Sequence, residues 1–262
     1  MKGIIKVISI LGFVAIIIWY LFIFLSPRDY KKPSKEFYVN DYAGFFSSAS
    51  KDYLINDASY WFNYTEENSD LGGFQAVVLT YLIENDEDMA LYDKTEIYRD
   101  WGIGENDMGL LILCFFKEND DLSLSLAGFE MEIGYRAEMY LTPITQRTIY
   151  DNVMDSHYNM EVVLVNLYYD YTGEILDKAY NISSSPFDQD EYEDMLINYD
   201  GKAYGESVPI DNLTYLFTKN STFFDKFKPV IIVLVFFFTG GIITIFAGKG
   251  GRSGGIGLKR RH

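Results

Sequence analysis

Two uncharged apolar runs bracket this chain of 262 residues. The first, VISILGFVAIIIWYLFIFLSP, carries no charge for 21 residues between Lys6 and Arg28. At about 1.5 Å per helical residue it is long enough to cross a hydrocarbon core about 30 Å thick. A cleaved secretory leader needs a shorter apolar core and small residues at its cleavage site. This run ends instead in Tyr20, Leu21, Phe22, Ile23, Phe24 and Leu25, so an uncleaved transmembrane anchor over 7–27 is expected after a short N-terminus, 1–6. The second run, PVIIVLVFFFTGGIITIFAG, fills the 20 positions between Lys228 and Lys249 and predicts a transmembrane helix at 229–248. Beyond it, 249–262 is glycine-rich and basic and reads as a flexible tail.

The charges sort themselves around these runs. The chain has 22 Lys and Arg against 38 Asp and Glu, a formal charge of −16. All 38 acids lie between Asp29 and Asp225, while seven bases lie outside 26–228. That segment therefore keeps 22 less 7, or 15, bases and carries a formal charge of −23. Arg28, Lys31, Lys32 and Lys35 follow the first run, so local charge alone does not orient it. The five bases of the tail place that end in the cytoplasm by the positive-inside rule, and a long middle segment is translocated regardless of its flanks. The expected topology is a multi-pass protein of the cell membrane, both termini cytoplasmic and the acidic domain outside. Such acidity excludes a nucleic-acid partner. One cysteine excludes a disulfide framework, and two histidines, His157 and His262, exclude imidazole-rich metal sites. Chemistry is left to carboxylates.

Between the runs, a basic linker (28–35) precedes KEFYVNDYAGFFS, a short extended segment and turn, with Ser47 or Ser48 available as a helix cap. Leu54, Ala58, Trp61 and Phe62 then fall on one helix face. GFQAVVLTYLI is a continuous apolar run suited to a strand buried on both faces. A helix is expected from Asp86 to Trp101. GLLILCFF and LSLSLAGFEMEI read as a hairpin joined by KENDD, with Cys114 a buried small hydrophobe. Helices over Thr142–Met154 and Glu161–Ala179 follow. The order predicts a central sheet covered by helices on both faces, an α/β/α sandwich at 36–181, flanked by the two transmembrane helices. Residues 182–228, with the acidic cluster FDQDEYEDM, show little periodicity and read as an irregular stalk or cap.

Three ordered blocks resemble the TPM domain family, named for thylakoid-lumen, photosystem-repair and receptor-modulator proteins. VNDYAGFFS at 39–47 is similar to the family's V-x-D-x-A-G-x-L-S. WGIG at 101–104 precedes an acidic loop and GLLIL, as the family's W-G-I-G precedes N-G-V-L-L. EIGYRAEMYLT at 132–142 is similar to E-V-G-Y-G-L-E-G-V-L-T. Met108, Arg136 and Pro143 depart from the pattern, which prefers Asn, Gly and Asp there.

The resemblance implies divalent cation binding, calcium above all, by Asp41, Asp107, Glu132 and Glu138. Calcium takes 6–8 oxygen ligands and needs neither His nor Cys. The bland alternative for each is a solvated acid: Asp41 as a turn or capping residue, Glu132 as a strand residue facing water. Some family members are acid phosphatases, but no phosphate-cradling glycine loop, Cys-x5-Arg loop or D-x-D-x-[TV] motif is present, and the bases near the blocks are Arg99, Arg136 and Arg147. No catalytic residue is assigned. The expected function is a membrane-anchored extracytoplasmic module that binds calcium through acidic loops and supports a membrane or envelope protein. The alternative is a metal-dependent acid phosphatase.

Overall fold

The computed structural model describes residues 30–156, 159–183 and 187–210, all within one of the two units into which the chain divides, Asp29–Thr222. Both apolar runs and the basic tail lie outside the described residues, so the two expected spans are not addressed. Among the described residues no helix is long and apolar enough to cross a membrane.

Four strands form one mixed sheet in sequence order: β1 (Val39–Asp41), β2 (Gln75–Leu82), β3 (Gly109–Glu118) and β4 (Leu124–Ile133). The first three are parallel and β4 returns antiparallel from the hairpin. The helices are α1 (Ser48–Thr65), α2 (Lys94–Trp101), α3 (Pro143–Met154), α4 (Met160–Tyr180) and α5 (Gln189–Ile197).

Alternation along the strands makes two cores. Ala76, Val78, Leu110, Ile112, Cys114 and Phe116 pack with Leu54 and Ala58 of α1 and Leu164, Tyr168 and Tyr171 of α4. Val77, Leu79, Leu111, Leu113 and Phe115 pack on the other face with Ile97, Tyr98 and Trp101 of α2. Strands apolar on both faces are what a sheet covered on both sides requires, so the α/β architecture stands. Burial pushes the Cys114 thiol well above its ordinary value, leaving it an inert packing group.

The topology has one uncommon feature. The crossovers β1–α1–β2 and β2–α2–β3 step the same way across the sheet, yet their helices lie on opposite faces. They therefore have opposite hands, and one is left-handed, a connection found in about 2% of cases. As a result the chain leaves the adjacent carboxyl ends of β1 and β2 toward opposite faces.

Two expectations change. The helix read over Asp86–Trp101 is split into a 3-10 turn, Asp86–Leu91, and α2, because the Asp93 carboxylate accepts from the amides of Thr95 and Glu96 and starts a new helix. The stretch read as irregular after 181 contains α5, capped by Asp188 and anchored by Tyr192, which is 2% exposed.

Candidate functional site

Asp41 ends β1 and is 1% exposed. Its carboxylate accepts from the amides of Phe45 (2.9 Å) and Phe46 (3.0 Å) and from Thr80 Oγ1 (2.6 Å), and pairs with Lys51 Nζ at 3.2 Å. Lys51 in turn donates to the Gly205 carbonyl, and Ser207 Oγ accepts from the Asp41 amide. Residues 204–207 thus lie across the carboxyl ends of β1 and β2, the place where open α/β sheets usually take ligands. Asp41 acts there as the buried turn-holding residue, its lone pairs committed to protein donors.

The other three residues lie at the opposite end of the sheet. Asp41 is in register with Thr80, which pairs with Cys114, five residues along β3 from its start at Gly109. That separation is about 16 Å at about 3.3 Å per residue. The loop before Gly109 is tightly wound. Gly102 caps α2 in the left-handed conformation, Gly104 has φ 78°, and Asn106 and Asp107 hold φ 51° and 63°. Gln75 Oε1 accepts from the Gly104 amide and Glu105 Oε2 from the Gly73 amide. Two consecutive non-glycine residues at positive φ are an unusual local strain, of a kind that clusters at functional loops.

This loop meets the end of β4. Gly134 donates to the Gly109 carbonyl and Ala137 to the Asp107 carbonyl. A Cβ at Gly134 would lie 2.1 Å from the Asp107 carbonyl oxygen and 2.3 Å from Tyr98 Oη. Glu132 pairs with Leu111, so it faces α2, half-buried. Glu138 sits in the 3-10 turn Ala137–Met139, exposed to solvent.

Tyr98 stands where these pieces meet. It is 6% exposed, and its hydroxyl has no hydrogen-bond partner. Burial first, then the charges of Asp107 and Glu132, push the phenol well above its ordinary value, so it stays a neutral hydroxyl. A buried hydroxyl without a partner costs about 1–3 kcal/mol. Trp101 Nε1 also lacks a partner, and nothing in the structure accounts for it.

The structure therefore sets Asp107 and Glu132 within electrostatic reach of one hydroxyl, puts Glu138 on the adjoining turn, and leaves Asp41 apart. Tyr98 was not legible from sequence. Its one available signal was position, one helical turn before Trp101 of the WGIG block, and only the fold puts it against Gly109 and Gly134. As a cation site the donors are all hard oxygens: two carboxylates, a phenol and a main-chain carbonyl. That set fits calcium completed by water. Among the described residues no three acidic, His or Cys side chains form a ready cage. Of the three arginines, Arg136 Nη1 donates to the Asp70 carbonyl and Arg147 pairs with Asp151 at 2.7 Å.

The fold is an α/β domain, a mixed four-stranded sheet with helices, and it carries an acidic loop at the amino end of β3. No family model matches the chain, and no curated protein matches it. Among solved structures it is similar to the solution NMR structure of the N-terminal domain of a protein from P. gingivalis. The identity is 20%, with 57% of this chain and 87% of that chain covered and a TM-score of 0.40.

Proposed function

We propose that the chain is a membrane-anchored, extracytoplasmic module of the TPM type that binds calcium at Tyr98, Asp107 and Glu132 and supports a membrane or envelope protein. The observation that carries this reading is the buried Tyr98 hydroxyl, unpartnered beside two carboxylates. A hard cation gives that oxygen a partner and supplies a counter-charge to Asp107 and Glu132. Two of the three resembling blocks, WGIG with its acidic loop and EIGYRAEM, meet at this point, which supports the resemblance as well as the site. The third block holds Asp41 in a structural role, so the ligand set is narrower than the resemblance implies. With only two carboxylates, affinity belongs to the weak range of extracellular calcium modules, a Kd of about 10⁻⁴–10⁻³ M.

The test is terbium luminescence on the full-length protein in neutral detergent. Terbium bound at this site is sensitised by Tyr98 and Trp101, and calcium displaces it. Glu132→Gln together with Asp107→Asn abolishes the calcium-displaceable signal. An undiminished signal in that double variant would sink the assignment. Turnover of a generic phosphate ester that requires the same two acids would instead favour the metal-dependent phosphatase.

A further inference from the structure

A second acidic site lies on the other side of the sheet. There α1, the end of α5 and the segment after it border an open cleft of about 500 Å³, lined by Asp52, Tyr53, Asp57 and Tyr60 of α1 together with Tyr199 and Asp200. Neither lysine nor arginine lines it. Its volume is that of a small-molecule pocket, too large for a bare ion. The spacing of Asp52, Asn56 and Tyr60 at i, i+4 and i+8 puts one stripe of α1 along the cleft wall.

The carboxylates are built in. Asp57 accepts from Trp61 Nε1 (3.0 Å) and Tyr168 Oη (2.9 Å), which fixes it without supplying a positive charge. Asp52 accepts from Tyr204 Oη at 3.1 Å. That same tyrosine supplies a sample of the chemistry, with Lys202 Nζ 4.4 Å from the Tyr204 ring centroid. Gly201 passes close to this wall, a Cβ there lying 2.8 Å from the Tyr199 ring and 2.9 Å from Asp52 Oδ2. The aromatic surface continues beyond the cleft, with Tyr60 stacked on Tyr64 at 5.9 Å and edge-on to Trp61 at 4.8 Å.

Carboxylates fixed by neutral donors and ringed by tyrosines form the environment that recognises an ammonium or guanidinium group, by charge and by the negative faces of the rings. We propose that this cleft binds an organic cation, with Asp52 and Asp57 as its counter-charges and Tyr53, Tyr60 and Tyr199 as its aromatic walls. No three acids converge there to hold a metal among the described residues. The cation comes either from a partner's basic side chain or from a free polyamine.

Calorimetric titration of the full-length protein in neutral detergent, at about 0.15 M salt where surface charge is screened beyond about 8 Å, tests this. The probes are Nα-acetylarginine amide, spermidine, the uncharged isostere Nα-acetylcitrulline amide, and maltose. At least one cation binds saturably, and the citrulline compound and maltose do not. Tighter binding of the arginine amide identifies a protein partner, and tighter binding of spermidine identifies a free polyamine. Asp52→Asn and, separately, Tyr60→Ala weaken binding about tenfold, whereas Asp107→Asn, at the calcium site, leaves it unchanged. Both substitutions are made at residues outside the core, and an unchanged thermal melt confirms that each variant is folded. Absence of saturable cation binding, equal binding of citrulline or maltose, or indifference to Asp52→Asn in a folded variant each overturns the proposal.

Discussion

Tyr98 and Asp41 show how two polar groups of similar burial have opposite meanings. Every lone pair of Asp41 has a protein donor, and Lys51 beside it is 7% exposed. Asp41→Ala therefore strands a buried ammonium and should cost about 3–5 kcal/mol by denaturant unfolding, with or without calcium. Tyr98 has the reverse prediction. Removing its unpartnered hydroxyl in Tyr98→Phe should stabilise the calcium-free protein by about 1 kcal/mol and reduce the gain that calcium confers. Asp57 adds a pH signature. Burial raises its carboxyl above the ordinary value, opposed by hydrogen bonds from Tyr168 and Trp61. Between the ordinary and the raised value the folded state keeps a proton that the unfolded state has lost. Stability contributed by this group is thus full in acid and is lost as pH rises through that window. Asp57→Asn should flatten the fall, read from denaturation midpoints measured across the acid range.

At the scale of elements, three helix starts were legible, and each carries its own capping chemistry: Ser47, Thr142 and Asn159 accept from amides three residues on. The start at Asp93 was hidden, because the acidic turn before it reads as helix too. Strands β2 and β3 were legible because burial on both faces leaves no charged residue inside the apolar run. α5 was not legible, since Tyr192 is its one buried residue, and a single anchor makes no periodic stripe. That anchor still matters: Tyr192 packs against Tyr53 and Phe187 and its hydroxyl meets Ser50 Oγ. Tyr192→Ala should cost about 3–5 kcal/mol, and a loss below about 1 kcal/mol would show that α5 is an ornament on the domain.

Across the whole molecule, the three sequence blocks share one sheet but divide between its two ends, a separation that linear order does not reveal. Strand register decides it: β1 contributes Asp41 at the carboxyl end, while the loop into β3 contributes Asp107 at the amino end. The sequence patterns also named acids rather than their partners, so Lys51, Tyr98 and the glycines that let Tyr98 approach were invisible until the chain was folded. The central claim is that calcium binds only the folded arrangement of Asp107, Glu132 and Tyr98. Its most direct measurement is the thermal unfolding of the full-length protein in chelator and in calcium, for the wild type and for Asp107→Asn with Glu132→Gln. A ligand at 100 times its Kd adds about 2.7 kcal/mol to the folded state. The account predicts a calcium-specific rise in the wild type, kept in any folded Asp41 variant and absent from the double variant. A rise produced equally by monovalent salt, or retained in the double variant, would contradict it.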